Sequence, residues 1–316
     1  MLRTAPLLAS LMLLPGTACV RHSLPTHVRE THTFPAAADK LVKVDLRSLD
    51  VRVNVAPGNV ITADISLEAQ SSSRGAAQRW VERNTPEFSD SATTLEVRQP
   101  RTPGTVIIFG FMHNRGTLEL TVPPACRLEI HTSSGDVTLG GDVTVSGPVR
   151  VDTSSGDVTV RGGAKELVIK TSSGDVVVNG GRLAGFEADT SSGDITLSSG
   201  SDRTLVETSS GEVRLEKLTG GLSADSSSGD VRAVWEQLGA GQKVRVRTSS
   251  GDVRLRAPGS ATLAGELTTT SGTINCDFPG SSERREHRFT LTAPPPAVDF
   301  EVHTSSGDVS VRKSGS

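Results

Sequence analysis

The chain has 316 residues, which is enough to bury a substantial core, so length alone excludes little. Its 32 glycines, its lack of tyrosine and its 3% aromatic content are typical of a narrow, layered β core rather than of a globular α/β enzyme. The formal net charge of −3, without a dense basic stripe, argues against nucleic acid as a partner.

Residues 1–19 predict an export signal. Arg3 precedes an apolar stretch at residues 7–14, and the sequence PGTAC follows at residues 15–19. The apolar stretch is too short to cross a bilayer. The small residues before Cys19 resemble a bacterial lipobox, which predicts lipidation of Cys19 after cleavage. Gly16 stands where a lipobox usually has leucine, so cleavage by an ordinary signal peptidase stays open as the alternative.

Residues 20–38 are polar and contain proline, which predicts a flexible tether. His22, His27 and His32 lie five residues apart, a spacing that suits neither one helix face nor a compact strand, so we predict no metal site there.

Residues 39–125 predict a β-rich N-terminal cap region. Strands are expected at residues 41–55, 60–69, 95–97 and 117–122, and a short helix at 74–83. The apolar stretch at 106–112 predicts a buried strand with its neighbouring turn rather than a contact site. This region could cover one end of the repetitive part that follows, where a bare strand edge would invite polymerisation.

Residues 126–316 repeat the hexapeptide TSSGDV with little change. The glycine of each copy is Gly135, Gly156, Gly174, Gly193, Gly211, Gly229, Gly251, Gly272 or Gly307. Apolar residues lie seven and five positions before this glycine and two and four positions after it, as at Leu128, Ile130, Val137 and Leu139. Each copy therefore predicts a strand, a tight turn and a second strand with a shared buried face.

The turn chemistry follows from the same hexapeptide. The alternation changes phase across Ser-Ser-Gly-Asp, as it must at a corner whose two strands face one core. We expect a positive φ at each repeat glycine, with Ser or Asp bonding the free backbone groups. Glycine pairs after the second strand, such as Gly140-Gly141, would turn the chain again.

Fixed repeats of this size indicate stacked units that bury one another. Near-identity of the Thr, Ser and Asp positions favours parallel stacking, because like side chains then lie over like. The predicted fold class is therefore all-β: a repetitive, β-helix-like β-solenoid at 126–316 with a smaller N-terminal cap. The alternative is an antiparallel β-sandwich or meander. Residues 278–296 predict a protruding loop with one short strand near 289–292.

The repeated TSSGDV, flanked by alternating Val, Ile and Leu, resembles the bacterial DUF4097 family of β-strand-repeat or "putative adhesin" proteins. The resemblance covers residues 128–311 well and residues 42–122 loosely. It implies the fold more than the function, and it implies no catalytic residues.

An acidic residue follows each repeat glycine but one and forms the most suggestive cluster in the sequence. The column comprises Asp136, Asp157, Asp175, Asp194, Glu212, Asp230, Asp252 and Asp308. Stacked carboxylates repel one another or recruit cations, and calcium prefers oxygen ligands, so a calcium ladder is one hypothesis. The alternative is that each carboxylate accepts N–H groups of a turn or pairs with an outward Arg or Lys. No other cofactor is indicated.

Catalytic patterns are weak. The sequence has no Gly-x-Ser-x-Gly elbow, and Ser310-x-x-Lys313 falls on a predicted strand rather than at a helix start. His131 and His303 occupy the same outward position in distant copies, which predicts surface residues. Carbohydrate-processing sites combine paired carboxylates with aromatic platforms, and the repeat region has few aromatic residues. We therefore predict a protein that is not an enzyme.

The functional hypothesis is an exported, membrane-anchored lipoprotein of the periplasm or cell surface. Its solenoid would act as an adhesin-like scaffold or binding surface for an envelope component, either protein or glycan. The membrane would be contacted through the lipid anchor alone. The alternative is a polysaccharide-binding or polysaccharide-active β-helix protein. Cys126 and Cys276 would lie in a compartment that permits a disulfide, and two unpaired thiols are the alternative.

Overall fold

The computed structural model describes residues 25–71, 74–100, 112–141, 144–162, 164–283 and 287–314. The chain is nearly all β, with 61% strand and 4% helix, which confirms the predicted fold class. Within these ranges, no helix combines the length and the apolar character needed to cross a membrane.

The first part of the chain contains seven strands and one helix. In chain order they are β1 (Pro25–Pro35), β2 (Leu41–Asp45), β3 (Asp50–Val55), β4 (Val60–Ser71), α1 (Arg74–Asn84), β5 (Glu87–Asp90), β6 (Thr94–Arg98) and β7 (Met112–Val122).

The repeat region continues with strands in regular pairs. They are β8 (Arg127–Thr132), β9 (Val137–Gly140), β10 (Val145–Thr153), β11 (Val158–Val160), β12 (Ala164–Thr171), β13 (Val176–Val178), β14 (Gly185–Thr190), β15 (Ile195–Leu197), β16 (Arg203–Thr208), β17 (Val213–Leu218), β18 (Gly221–Ser226), β19 (Val231–Trp235), β20 (Lys243–Thr248) and β21 (Val253–Pro258). The last six are β22 (Leu263–Thr269), β23 (Ile274–Cys276), β24 (Gly280–Glu283), β25 (Arg288–Thr292), β26 (Val298–Thr304) and β27 (Val309–Ser314).

The strands form two stacked sheets. Sheet A has 13 strands in the order β1-β4-β7-β3-β9-β11-β13-β15-β17-β19-β21-β27-β23. Sheet B has 14 strands in the order β24-β25-β22-β26-β20-β18-β16-β14-β12-β10-β8-β2-β6-β5. Each TSSGDV copy places its first strand in sheet B and its second in sheet A. In the described ranges these nine pairs, together with β2/β3 and β6/β7, form eleven parallel rungs, from β6/β7 at one end to β22/β23 at the other. Parallel stacking confirms the solenoid over the antiparallel meander.

The core lies between the two sheets and follows the predicted alternation. Leu128 and Ile130 on β8, and Val137 and Leu139 on β9, are each at most 2% exposed. The register places like residues over like, as where Val158 pairs with Val137 and with Val176. The phase change across the corner therefore does turn both strands toward one core.

The N-terminal region joins the same stack. The predicted strand at 41–55 is two strands, because residues 46–49 form a corner that separates β2 from β3. β2 pairs in parallel with β8, and β3 pairs in parallel with β9. The sheets thus cross the predicted 125/126 boundary without a break. β6 and β7 form the outer rung, while β4 pairs antiparallel with β7 and α1 packs against β4.

The predicted tether is wrong for residues 25–35. These residues form β1, which pairs antiparallel with β4 along its whole length, from Pro25 opposite Gln70 to Pro35 opposite Val60. Val28 and Phe34 pack against the core and give the strand an apolar side. Proline at both ends bounds the strand, which is consistent with an edge position. Residues 20–24 lie outside the described ranges.

Both ends of the stack use the same chain path. At the N-terminal end, the chain forms β2/β3, moves outward to β6/β7, and returns to the inner side at β8/β9. At the C-terminal end, it forms β22/β23 on the outside and returns to insert β26/β27 between that rung and β20/β21. The predicted loop at 278–296 holds an antiparallel hairpin, β24 with β25, and β25 confirms the strand expected near 289–292.

Candidate binding surface

The repeat threonine holds the corner in most rungs, whereas Ser226 takes its place at Gly229 and Oγ1 of Thr208 has no hydrogen-bond partner among the described residues. The N–H of Gly156 donates to Oγ1 of Thr153 at 3.1 Å, and the N–H of Gly174 donates to Oγ1 of Thr171 at 3.0 Å. Thr153 and Thr171 are both buried. In the last copy the hydroxyl of Thr304 instead donates to the carbonyl oxygen of Gly251 in the neighbouring rung, at 3.1 Å. The buried hydroxyls therefore pair backbone groups that the corner removes from the sheets.

The repeat glycines are required for a reason other than the predicted positive φ. None of the nine has a φ in the left-handed region; among the described residues, the positive-φ glycines are Gly141, Gly180, Gly181, Gly241 and Gly265. The predicted positive φ at the repeat glycines is therefore wrong. A Cβ on Gly156 would overlap the carbonyl oxygen of Gly135, and a Cβ on Gly174 would overlap that of Gly156. Close stacking of successive rungs excludes every other residue.

The acidic column forms a hydrogen-bonded ladder along the corner. Oδ1 of Asp136 accepts the N–H of Asp157 at 3.0 Å, and Oδ1 of Asp157 accepts the N–H of Asp175 at 2.9 Å. The ladder continues through Asp194 to Glu212, restarts from Asp230 through Asp252 to Asp308, and ends where Asp308 accepts the N–H and hydroxyl of Thr273. These two bonds hold the pKa of Asp308 below its ordinary value. Each carboxylate of the column except that of Glu212 thus caps the next rung.

The described residues contain no group of three or more His, Cys, Asp or Glu side chains placed to hold a metal ion. Arg254 bridges two carboxylates of the column, with Nη1 2.9 Å from Asp230 Oδ2 and Nη2 2.6 Å from Asp252 Oδ2. The calcium ladder stays a prediction.

The outer face of sheet B is the broader of the two outer faces. Its central strands, from β12 to β20, have six to eight residues, whereas their rung partners in sheet A, from β13 to β21, have three to six. Ion pairs between neighbouring strands cross the face of sheet B. Lys170 pairs with Asp189 at 3.7 Å, and Arg245 pairs with Glu301 at 2.8 Å. Paired charges give this face a fixed pattern at the rung spacing of about 4.8 Å.

A groove of about 620 Å³ crosses β12, β14, β16, β18 and β20 on this face. Its floor contains two partly buried apolar side chains that point outward, Val168 and Leu205. One row across the strands contains, in order, Glu166, Gly185, Arg203, Gly221 and Lys243. The two glycines have no side chains, so they separate the three charged residues of this row. The groove is therefore apolar at its floor and charged at its rim.

Two of the charged residues at the rim lack an ionic partner among the described residues. Lys243 pairs with Asp299 at 3.3 Å, and Glu187 lies 3.9 Å from Lys170. The exposed side chains of Arg203 and Glu166 make no ion pair or hydrogen bond in those ranges. The guanidinium of Arg203 lies over Gly185, where a Cβ would be 3.2 Å from Nη2.

The cysteines cannot pair with each other. Cys126 and Cys276 are both free. Eight strand steps in sheet A separate their rungs, or about 38 Å, whereas a disulfide needs Cα atoms within about 7 Å. Burial raises the pKa of both thiols. Cys19, the predicted lipidation site, lies outside the described residues.

The histidines lie at the surface, as predicted. His131 on β8 contacts Oε1 of Glu129 at 2.8 Å and Oδ2 of Asp152 at 3.1 Å. His303 on β26 bonds the hydroxyl of Thr268 at 2.9 Å. The contact with His131 is the largest cause of a lowered pKa at Glu129. At the other end of the chain, the ring of His32 packs on Phe88, 4.5 Å between centroids.

Sequence reasoning missed the groove, although a signal was present. Position six before the repeat glycine points outward and is polar in most copies, but it holds Val168 on β12 and Leu205 on β16. These two apolar residues stand two strands apart at a position that is otherwise polar, so together they indicate an apolar patch on the outer face. The apolar stretch at 106–112, apart from Met112, lies outside the described residues.

Comparisons with known proteins agree with this architecture. A model of the family described as Toastrack DUF4097 matches residues 41–312. A solved structure described as "Putative lipid binding protein", from Parabacteroides distasonis ATCC 8503, has 13% identity and a TM-score of 0.53, covering 91% of this chain and 97% of its own. A "putative adhesin" from the same organism has 11% identity and a TM-score of 0.45, covering 90% of this chain and 97% of its own. The search of curated proteins returned no match.

Proposed function

The chain belongs to the Toastrack DUF4097 family, and from this premise we propose that it is a non-catalytic cell-envelope lipoprotein that binds an envelope component through the outer face of sheet B. The observation that carries the proposal is the groove on that face. Its floor exposes Val168 and Leu205, and its rim holds Arg203, whose side chain has no ionic partner in the part of the chain that the structure describes. Outward apolar side chains in a row that is otherwise polar mark an interaction site.

The short link to Cys19 supports a role close to a membrane. Only residues 20–24 separate Cys19 from β1, so a lipid on Cys19 would hold the N-terminal end of the solenoid within roughly 20 Å of the bilayer. A single acyl modification binds membranes reversibly, whereas several chains anchor stably. The stack of rungs, about 48 Å long by strand spacing, would extend from that point.

Binding without turnover fits the chemistry of the face. The charged residues of the groove are exposed or partly exposed to water, whereas catalytic acids and bases are usually held in a desolvated setting. The Parabacteroides protein that shares the fold is described as lipid binding, which is also a binding role.

The test is co-sedimentation of full-length protein carrying Cys19→Ala with isolated bacterial envelopes. We expect saturable binding that Leu205→Ser weakens and that the matched change Val177→Ser, on the outer face of sheet A, leaves unchanged. Equal binding by both variants would place the contact elsewhere. Degradation of an envelope glycan by the purified protein would instead favour the polysaccharide-active alternative.

A further inference from the structure

The groove also indicates which chemical class of ligand the outer face of sheet B takes. We propose that it binds a single-chain anionic amphiphile, a long-chain fatty acid, with the carboxylate between Arg203 and Lys243 and the hydrocarbon chain along Leu205 and Val168. This inference rests on the proposed binding role of the same face.

The floor of the groove favours a hydrocarbon chain over a peptide. The strands that line it are hydrogen-bonded to a neighbour on each side within the sheet, so their backbone groups are already paired. A peptide laid across the strands would leave its own N–H and C=O groups without backbone partners, at a cost for each one removed from water. A hydrocarbon chain has no such groups.

The floor also disfavours a sugar. Sugar rings bind by stacking on exposed aromatic side chains, and the aromatic residue of the groove, Phe186, points into the core with 2% exposure. Val168 and Leu205, by contrast, lie two strand spacings apart in one row, about 10 Å, with Glu187 between them. Glu187 is directed toward Lys170 of the adjacent row, which leaves the two apolar residues as one strip.

The charges at the rim place the head group. Arg203 and Lys243 stand on either side of Gly221, which puts no side chain between the two cations and lies close against the backbone of Lys243. Arg203 has no partner in the described residues and can turn from Gly185 to Gly221, because it is exposed. A carboxylate accepts two parallel bonds from a guanidinium, the geometry that arginine favours. The acidic Glu166 lies at the far end of the row, about 15 Å away by strand spacing.

The groove has the right size for one ligand of this class. Its volume of about 620 Å³ falls within the range of pockets that take small ligands. It crosses five strands, and the stretch from Gly221 on β18 to Val168 on β12 is three strand spacings, or about 14 Å, which an extended acyl chain can span.

The experiment is calorimetric titration of full-length Cys19→Ala protein with monomeric hexadecanoate. We expect one bound molecule per chain. Arg203→Gln should weaken binding by tenfold or more, since it removes a charge-assisted bond, and Leu205→Ser should weaken it severalfold. The matched controls on sheet A, Arg232→Gln and Val177→Ser, should bind as the parent does. Hexadecanol, which lacks the charge, should bind Arg203→Gln and its parent equally.

Each other outcome overturns the inference. No binding of hexadecanoate, while envelope binding still depends on Leu205, would reject the fatty acid and leave the proposed function standing. If the protein bound neither hexadecanoate nor envelopes through Leu205, the fatty-acid inference and the proposed function would both be rejected. Hexadecanoate binding that is insensitive to Arg203 and Leu205 would place the site elsewhere. Binding to phosphatidylglycerol vesicles without binding of monomeric hexadecanoate would identify a membrane surface as the ligand instead.

Discussion

The carbonyl oxygen of Gly135 occupies the space that a Cβ on Gly156 would need. The same relationship links Gly156 to Gly174 and continues along the corner to Gly272, which meets Gly307. The repeated glycine is therefore a packing requirement between rungs, and it explains why glycine stands at this position in all nine TSSGDV copies. The shared corner fixes how far every sheet B strand lies from the next, and so it shapes the groove.

Alanine at a repeat glycine should destabilise the protein strongly. In Gly174→Ala the new methyl group overlaps the backbone of Gly156, which cannot move without shifting a whole rung. We expect a loss of about 2 to 3 kcal/mol in the free energy of unfolding, as for other overpacked sites. Urea denaturation measures it. The control is Gly58→Ala, where a methyl group meets open space; equal losses for the two variants would contradict the packing role.

Removing one carboxylate of the acidic column should cost less than adding a methyl group at the corner. Asp175→Ala leaves the N–H of Asp194 without its acceptor at 2.9 Å, and we expect a loss of about 1 kcal/mol. Asp175→Asn keeps an oxygen in place and should lose less. Thermal melts of the three proteins compare them. If Asn proved as harmful as Ala, the charge rather than the hydrogen bond would matter.

Calcium should have little effect on stability. One oxygen of Asp136, Asp157, Asp175, Asp194, Asp230, Asp252 and Asp308 already accepts an N–H group of the next rung. We expect equal melting temperatures in calcium and in chelator, and no saturable heat on titration. A saturable isotherm with a raised melting temperature would establish the calcium ladder and favour an extracellular role.

Acid should remove the contribution of Glu301. Arg247 and Arg245 hold the pKa of this carboxyl below its ordinary value of 4.5. Because the folded pKa is the lower one, the ion pairs stabilise the fold fully above pH 4.5, and the contribution is lost as pH falls toward the folded pKa. The difference in stability between the wild type and Glu301→Gln should therefore be constant from about pH 7 to pH 5.5 and shrink below pH 4.5. Denaturation across that range tests it; a difference that grows in acid would contradict it.

A buried lysine should stabilise the N-terminal end. The side chain of Lys40 is 1% exposed, and its Nζ lies 2.6 Å from Oδ1 of Asp90 and 2.8 Å from the carbonyl oxygen of Pro35. Lys40→Met keeps the apolar part but leaves both acceptors unpaired, and we expect a loss of about 2 kcal/mol. Urea denaturation measures it, with Lys43→Met, a partly exposed lysine on the strand β2 that follows Lys40, as the control. If Lys40→Met and Lys43→Met lost the same free energy of unfolding, the buried pairing of Lys40 would not stabilise the fold as predicted.

The sequence predicts the repeats well because each rung carries its own alternation of apolar and polar residues around the repeat glycine. It predicts β2/β3 poorly because Leu49 replaces the repeat glycine. The surrounding signal is nonetheless complete: Val42 and Val44 lie seven and five positions before Leu49, and Val51 and Val53 lie two and four after it. Leucine is tolerated at position 49 because its side chain packs against Gly116 of β7. The repeat glycines, by contrast, face the corner backbone of the neighbouring rung.

Other features depend on contacts that a sequence does not state. β1 forms because β4 offers it an antiparallel partner, and nothing within residues 25–35 specifies that pairing. The insertion of β26/β27 between two earlier rungs is likewise a choice among equivalent edges, since each repeat carries the same pattern. The groove requires Gly185, Leu205 and Gly221 to adjoin across three strands, which only the register provides.

The most direct test of the binding role is crosslinking in cells with a photoreactive amino acid placed on either outer face. Ser223 on β18 lines the groove of sheet B, and Thr196 on β15 lies on the outer face of sheet A. The account predicts a crosslinked adduct with an envelope component from position 223, reduced by Leu205→Ser, and none from position 196. Adducts from position 196 alone would contradict it.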